Sequence, residues 1–136
     1  MLRSFRIAVT ALLVTPLAAF AQQSRGSDGG SGPNTSQAYF EFQVEKPALP
    51  REGNPRPRYP ASLLRRGIPG EVLAQFVVDT NGKADVSTFV ILRASDSTFV
   101  RPVREIIPRL RFYPAEVAGQ RVRQLVQQSF LFVARK

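Results

Sequence analysis

The chain has 136 residues with neither cysteine nor histidine, and its 19 Lys and Arg against 10 Asp and Glu give a net charge of +9. That length suits one domain around one core. The missing residue types remove disulfides, the commonest metal ligands and the usual base of a nucleophilic triad. The positive charge admits anionic neighbours such as lipopolysaccharide, phospholipid headgroups or the acidic rim of a partner protein, but the Arg residues are scattered, and a solvated basic surface accounts for them equally well.

Residues 1–21 read as a cleavable secretory signal. Arg3 and Arg6 precede an apolar run over residues 7–20, and Ala19-Phe20-Ala21 supplies a small-x-small cleavage site. The run is too short for a membrane span, which needs about 18 or more apolar residues. No Cys follows it, so lipid modification there is excluded. Residues 22–37 are rich in Ser, Gly and Gln and read as a flexible tether, because they offer too little apolar surface to offset the entropy of ordering. The folded domain is expected over residues 38–136.

Within it, residues 40–44 alternate apolar and polar and predict a half-buried strand. Pro47, Pro50, Pro55, Pro57 and Pro60 make the next stretch extended and unfit for a sheet centre. Pro60 and Gly67 bracket a short helix. Residues 71–78 form the clearest strand, with Val72, Ala74, Phe76 and Val78 on one face. Asp79-Thr80-Asn81-Gly82 is a turn rather than a calcium loop, since its Gly comes fourth where the EF-hand needs it sixth. The return strand covers residues 83–94, with Val86, Thr88, Val90 and Leu92 on one face and Phe89 and Ile91 on the other.

Ser95, Asp96 and Ser97 offer N-cap side chains to a second helix, whose stripe is Phe99, Val103, Ile106, Ile107 and Leu110. Pro108 should kink or end it. The last strand covers residues 122–133, and a break in its alternation predicts a bulge near residues 127–129. These elements make an α+β domain, with two helices packed on one face of a mainly antiparallel, three- to four-stranded sheet.

Asp79 and Asp85 are the one carboxylate pair that invites a catalytic reading, but beside a tight turn such residues shape the turn and keep the edge wet. The sequence therefore assigns no catalytic residue, no metal ligand and no cofactor, and it does not read as an enzyme.

A set of short pieces recurs in register: Arg58-Tyr59-Pro60, Gly67, Gly70-Glu71-Val72, Phe76-x-Val78-Asp79-x-x-Gly82, Arg111-Phe112-x-Pro114-Ala115 and Gly119-x-x-Val122. Across residues 40–132 their order and spacing resemble the TonB C-terminal domain. Tyr59, Pro60, Gly70, Phe76, Gly82, Phe112, Pro114 and Gly119 are the motif residues, and most are fold residues. The resemblance implies a periplasmic domain of the energy-transducing system that serves outer-membrane receptors in Gram-negative bacteria. Such domains bind the receptor's short TonB box by adding an extended segment to the sheet edge, taking affinity from backbone hydrogen bonds.

Carried onto this chain, the implied partner-binding edge is Arg121, Val122, Arg123, Gln124, Leu125, Val126, Gln127 and Gln128. The implied partner is a protein or peptide such as a TonB-dependent receptor, with a homodimer as the competing use of the edge and no nucleic acid. A full TonB carries an uncleaved anchor with a Ser/His pattern and a long linker rich in Pro, Lys and Glu. This chain has no His, and its 16-residue tether reaches about 20–24 Å as a random coil, too little to bridge two membranes. The alternative function is structural: self-association through sheet edges, or envelope attachment through the basic surface.

Overall fold

The computed structural model describes residues 37–135. The expectations for a signal and for most of the tether therefore fall outside the described residues. Among the described residues no helix is long and apolar enough to cross a membrane.

The strands and helices run β1 (Ala38–Tyr39), β2 (Leu49–Pro50), α1 (Ala61–Arg65), β3 (Gly70–Val78), β4 (Ala84–Ala94), α2 (Val100–Ile106), β5 (Phe112–Tyr113), β6 (Ala115–Val117) and β7 (Gln120–Phe132). The main sheet has the order β1-β7-β3-β4, with β6 also paired to β7; β2 and β5 form a separate two-stranded ribbon. The α+β class expected from the sequence is the one observed. Two short strands, β1 and β6, extend the antiparallel trio of β7, β3 and β4, so the sheet has five strands rather than three or four.

β3 is central because both its neighbours are long and antiparallel. Its Val72, Ala74, Phe76 and Val78 point into the core, as their alternation requires, and are fully buried. Leu63 of α1 and Val103 and Ile106 of α2 join the same cluster, together with Phe99, Ile107, Leu110, Phe112, Phe130 and Phe132. Phe76 meets Phe112 at 5.7 Å between ring centroids, and Phe99 meets Phe132 at 4.4 Å. Tyr59 stands edge-on to Phe99 and Phe132, and its hydroxyl donates to the Ile68 carbonyl. Gly70 is needed where it is because a Cβ there would collide with the Phe99 ring.

The helix signals act as expected. Pro60 occupies the N-cap of α1. The Asp96 side chain accepts from the Thr98 amide at 2.8 Å and caps the single turn that leads into α2. Pro108 ends the α-helical part, and residues Ile107–Arg109 tighten into a 3-10 turn that keeps Ile107 and Leu110 in the core.

Three expectations are corrected. Residues 40–44 are not a strand: after Tyr39 the chain turns into a 3-10 helix over Glu41–Gln43, leaving Phe40 51% and Phe42 85% exposed. The cause is local competition, since the Gln43 side chain takes the Phe40 amide at 2.9 Å and the Gln43 amide bonds the Phe40 carbonyl. β7 carries no bulge against β3: its register runs unbroken from Gly70↔Phe132 to Val78↔Gln124. The broken alternation means only that Leu125 and Leu131 lie on the outer face, where Leu131 is exposed.

The irregularities are in β4 instead, with register shifts opposite Leu73/Ala74 and Gln75/Val77. They place Phe89 and Ile91 against the core and leave Val86, Val90 and Leu92 exposed. Thr88, expected to share their face, is half-buried and uses its hydroxyl to accept from the Val77 amide at 2.8 Å.

Candidate partner-binding edge of the sheet

β7 is built as an edge strand that is only partly used. On one side residues 124–132 pair with β3, and β6 pairs with the start of the strand in line with it (Ala115↔Val122, Glu116↔Arg121, Val117↔Gln120). On the other side β1 pairs with it in parallel (Ala38↔Arg123, Tyr39↔Gln124). The β6–β7 hairpin escaped the sequence reading. Its signal was Ala118-Gly119, two residues that both take positive φ, as tight primed turns require.

The eight candidate residues therefore divide. Arg121, Val122, Arg123 and Gln124 already face strands of their own chain. Among the described residues, Leu125, Val126, Gln127 and Gln128 pair with β3 and have no named strand on the other side. On the side away from β3, β1 covers Arg123 and Gln124, and residues 125–128 continue past it.

The side chains on this strand have distinct tasks. Gln124 is 2% exposed and turns its Oε1 inward to accept from the Ala48 amide at 2.7 Å, which fixes the N-terminal arm to β7. The arm is also held where the Glu45 and Lys46 amides donate to the Glu116 carbonyl at 3.0 and 3.2 Å. On the outer face, Arg123 reaches across β3 to Asp85 of β4, Nη2 to Oδ2 at 2.8 Å. Hydrogen bonds from the Ser87 side chain and then from Arg123 hold the Asp85 carboxyl below the usual carboxylate range, against a smaller opposing effect of burial. Gln127 donates to Gln75 at 3.3 Å. Phe40, Glu41 and Phe42 face Gln75, Leu125 and Gln127 across a shallow cleft of about 270 Å³.

The Asp79 and Asp85 carboxylates have structural work. Asp79 Oδ1 accepts from the Asn81 and Lys83 amides at 2.8 and 2.9 Å, which shapes the turn. The motif residues build the fold around the edge: Gly82 lies against Phe112 and Pro114, and Gly119 closes the β6–β7 turn. The opposite edge, β4, is a poorer template, because its bulges interrupt the row of backbone groups.

The solution structure of the Pseudomonas aeruginosa TonB C-terminal domain is 30% identical, with a TM-score of 0.53 over 65% of this chain and 88% of that one. The TonB2 protein of Vibrio anguillarum is 24% identical, with a TM-score of 0.49 over 77% of this chain and 95% of that one. No curated protein matches the chain. The family described as Gram-negative bacterial TonB protein C-terminal matches residues 55–134, more than half of the sequence. The chain belongs to this TonB C-terminal family.

Proposed function

We propose that this chain is a periplasmic binding module that takes up an extended segment of a partner protein, such as a TonB-dependent outer-membrane receptor, by strand addition along residues 125–128 of β7. The carrying observation is the pair of unlike edges: β7 runs straight and in register beyond its own-chain partners, while β4 is bulged. Backbone pairing gives such a site its affinity, and the outward Leu125 and Gln127 would select side chains. Titrating TonB-box peptides onto the isotope-labelled chain tests this. Amide shifts centred on residues 123–128 are expected; shifts confined to the turn at Asp79 and Gly82, or none at millimolar peptide, overturn it.

Export belongs to the same proposal, with cleavage after Ala21 and a mature amino terminus at Gln22. Mass spectrometry of the protein from its native host decides this; an intact Met1 terminus in the inner-membrane fraction would restore an anchored reading.

A second reading, envelope attachment, has one observation of its own. A cleft of about 530 Å³ at the end of β7 is lined by Arg56 and Arg135 beside Leu131 and Val133. Those two apolar side chains are exposed. Adhesion through Arg should fall steeply with added salt, whereas backbone pairing should change little.

A further inference from the structure

The site on β7 is already occupied, in part, by the chain itself. β1 contributes only Ala38 and Tyr39, aligned parallel to Arg123 and Gln124. Directly behind them Phe40 and Phe42 stack with centroids 5.6 Å apart and planes within 6°, and they sit over the cleft floored by Leu125. Both rings remain largely exposed, so the segment is laid on the edge rather than built into the core. The arm beyond it is fastened differently. From Glu45 onward it is clamped to Glu116, to Gln124 and, through the Arg51 amide, to the Arg111 carbonyl at 2.9 Å. A short, weakly packed lead thus precedes a fixed anchor, with Val44 between them.

The geometry points to residues 38–42 as a tethered self-ligand of β7, which a partner strand of the same direction must displace. It also states what that partner resembles: an extended segment, parallel to β7, with two residues in the ladder followed by an aromatic or aliphatic side chain that takes the place of Phe40 and Phe42 above Leu125. This deepens the strand-addition reading and rests on it for the identity of the competitor. Tethering holds the self-ligand at an effective concentration in roughly the millimolar range, so even a weak pair competes. If it is closed nine-tenths of the time, a partner's apparent affinity falls about tenfold.

The test compares the intact chain with an Ala38→Pro/Tyr39→Pro variant, which removes the amide donors of β1, including the one that faces β7. The probe is a synthetic peptide with the sequence of residues 37–44. The intact chain should protect the β7 amides around residues 123–125 from exchange, and the variant should lose that protection. The peptide should bind the variant about tenfold more tightly than the intact chain, with shifts over residues 123–127. Phe40→Ser/Phe42→Ser, which keeps every backbone donor, should give the same direction of change. Equal protection and equal affinity in the intact and variant chains overturn the self-ligand. TonB-box peptides separate the two ideas. If they bind neither chain while the residue 37–44 peptide binds the variant, the self-ligand stands and the receptor reading falls. If they bind β7 of the intact chain while the Ala38 and Tyr39 signals stay unmoved, the self-ligand falls and the receptor reading stands.

Discussion

The Gly82 carbonyl accepts the Phe112 amide at 2.8 Å, and a Cβ on Gly82 would strike the Phe112 carbonyl oxygen. Two motif pieces thirty positions apart are therefore one structural unit, in which the tip of the β3–β4 hairpin rests on the chain leaving α2. Gly82 sits at φ +77, while Gly67 has a similar φ of +64 with nothing within 4 Å of a would-be Cβ. Gly67→Ala should cost about 1–2 kcal/mol for the left-handed backbone alone. Gly82→Ala adds a backbone collision and should cost clearly more. Urea denaturation of both variants checks the order; equal losses would mean the hairpin tip moves aside freely.

Phe76 lies at the middle of the core, fully buried and packed edge-on to Phe112. Phe76→Ala should destabilise the domain by roughly 3–5 kcal/mol, because it leaves a cavity as well as losing transfer energy. A loss below about 1 kcal/mol in chemical denaturation would contradict this burial.

Asp85 gives the outer face its own acid sensitivity. Its folded pKa lies below the ordinary 3.8, held down by Ser87 and Arg123. The stabilisation is therefore complete above about pH 4 and fades as pH falls through the lower, folded value. Because both side chains remain about a quarter exposed, the contribution should be near the top of the surface range, about 1 kcal/mol. Asp85→Asn should be less stable than the parent at pH 7, and the gap should close as the pH falls below the lowered, folded pKa. A gap independent of pH would assign the effect to packing.

Gln124→Leu keeps the volume but orphans the Ala48 amide, which the glutamine oxygen now satisfies. A lost partner for a buried donor costs about 1–3 kcal/mol. Faster hydrogen exchange at Ala48 and at Glu45 and Lys46 should accompany the loss of stability. Unchanged exchange along the arm would show that Glu116 alone holds it.

The periodic elements were legible because burial acts on one face at a time. Val72 to Val78 and the stripe from Phe99 to Leu110 could satisfy their apolar side chains in only one way. Asp96, Pro108 and Gly82 announced their turns through local chemistry. The N-terminal arm was misread because its alternation over residues 40–44 gives no hint that the Gln43 side chain would claim the Phe40 amide. Gln124 looked like an ordinary polar position, and its partner lies 76 residues away, beyond any local pattern. The division of the β7 edge was hidden for the same reason: which strand reaches Arg123 first is settled by the path of the whole chain.

The placement of β3 has a consequence for how the protein is made. A chain synthesised amino end first presents residues 37–51 before Arg111, Glu116 and Gln124, which satisfy their backbone groups, have been made. The β3–β4 hairpin can close early, but one side of β3 stays open until β7 follows, because that side pairs only with residues 124–132. The final stretch to emerge thus completes the sheet and fastens the first, so assembly ends in one late, cooperative step, and until then the exposed flank of β3 is what a holdase chaperone would meet.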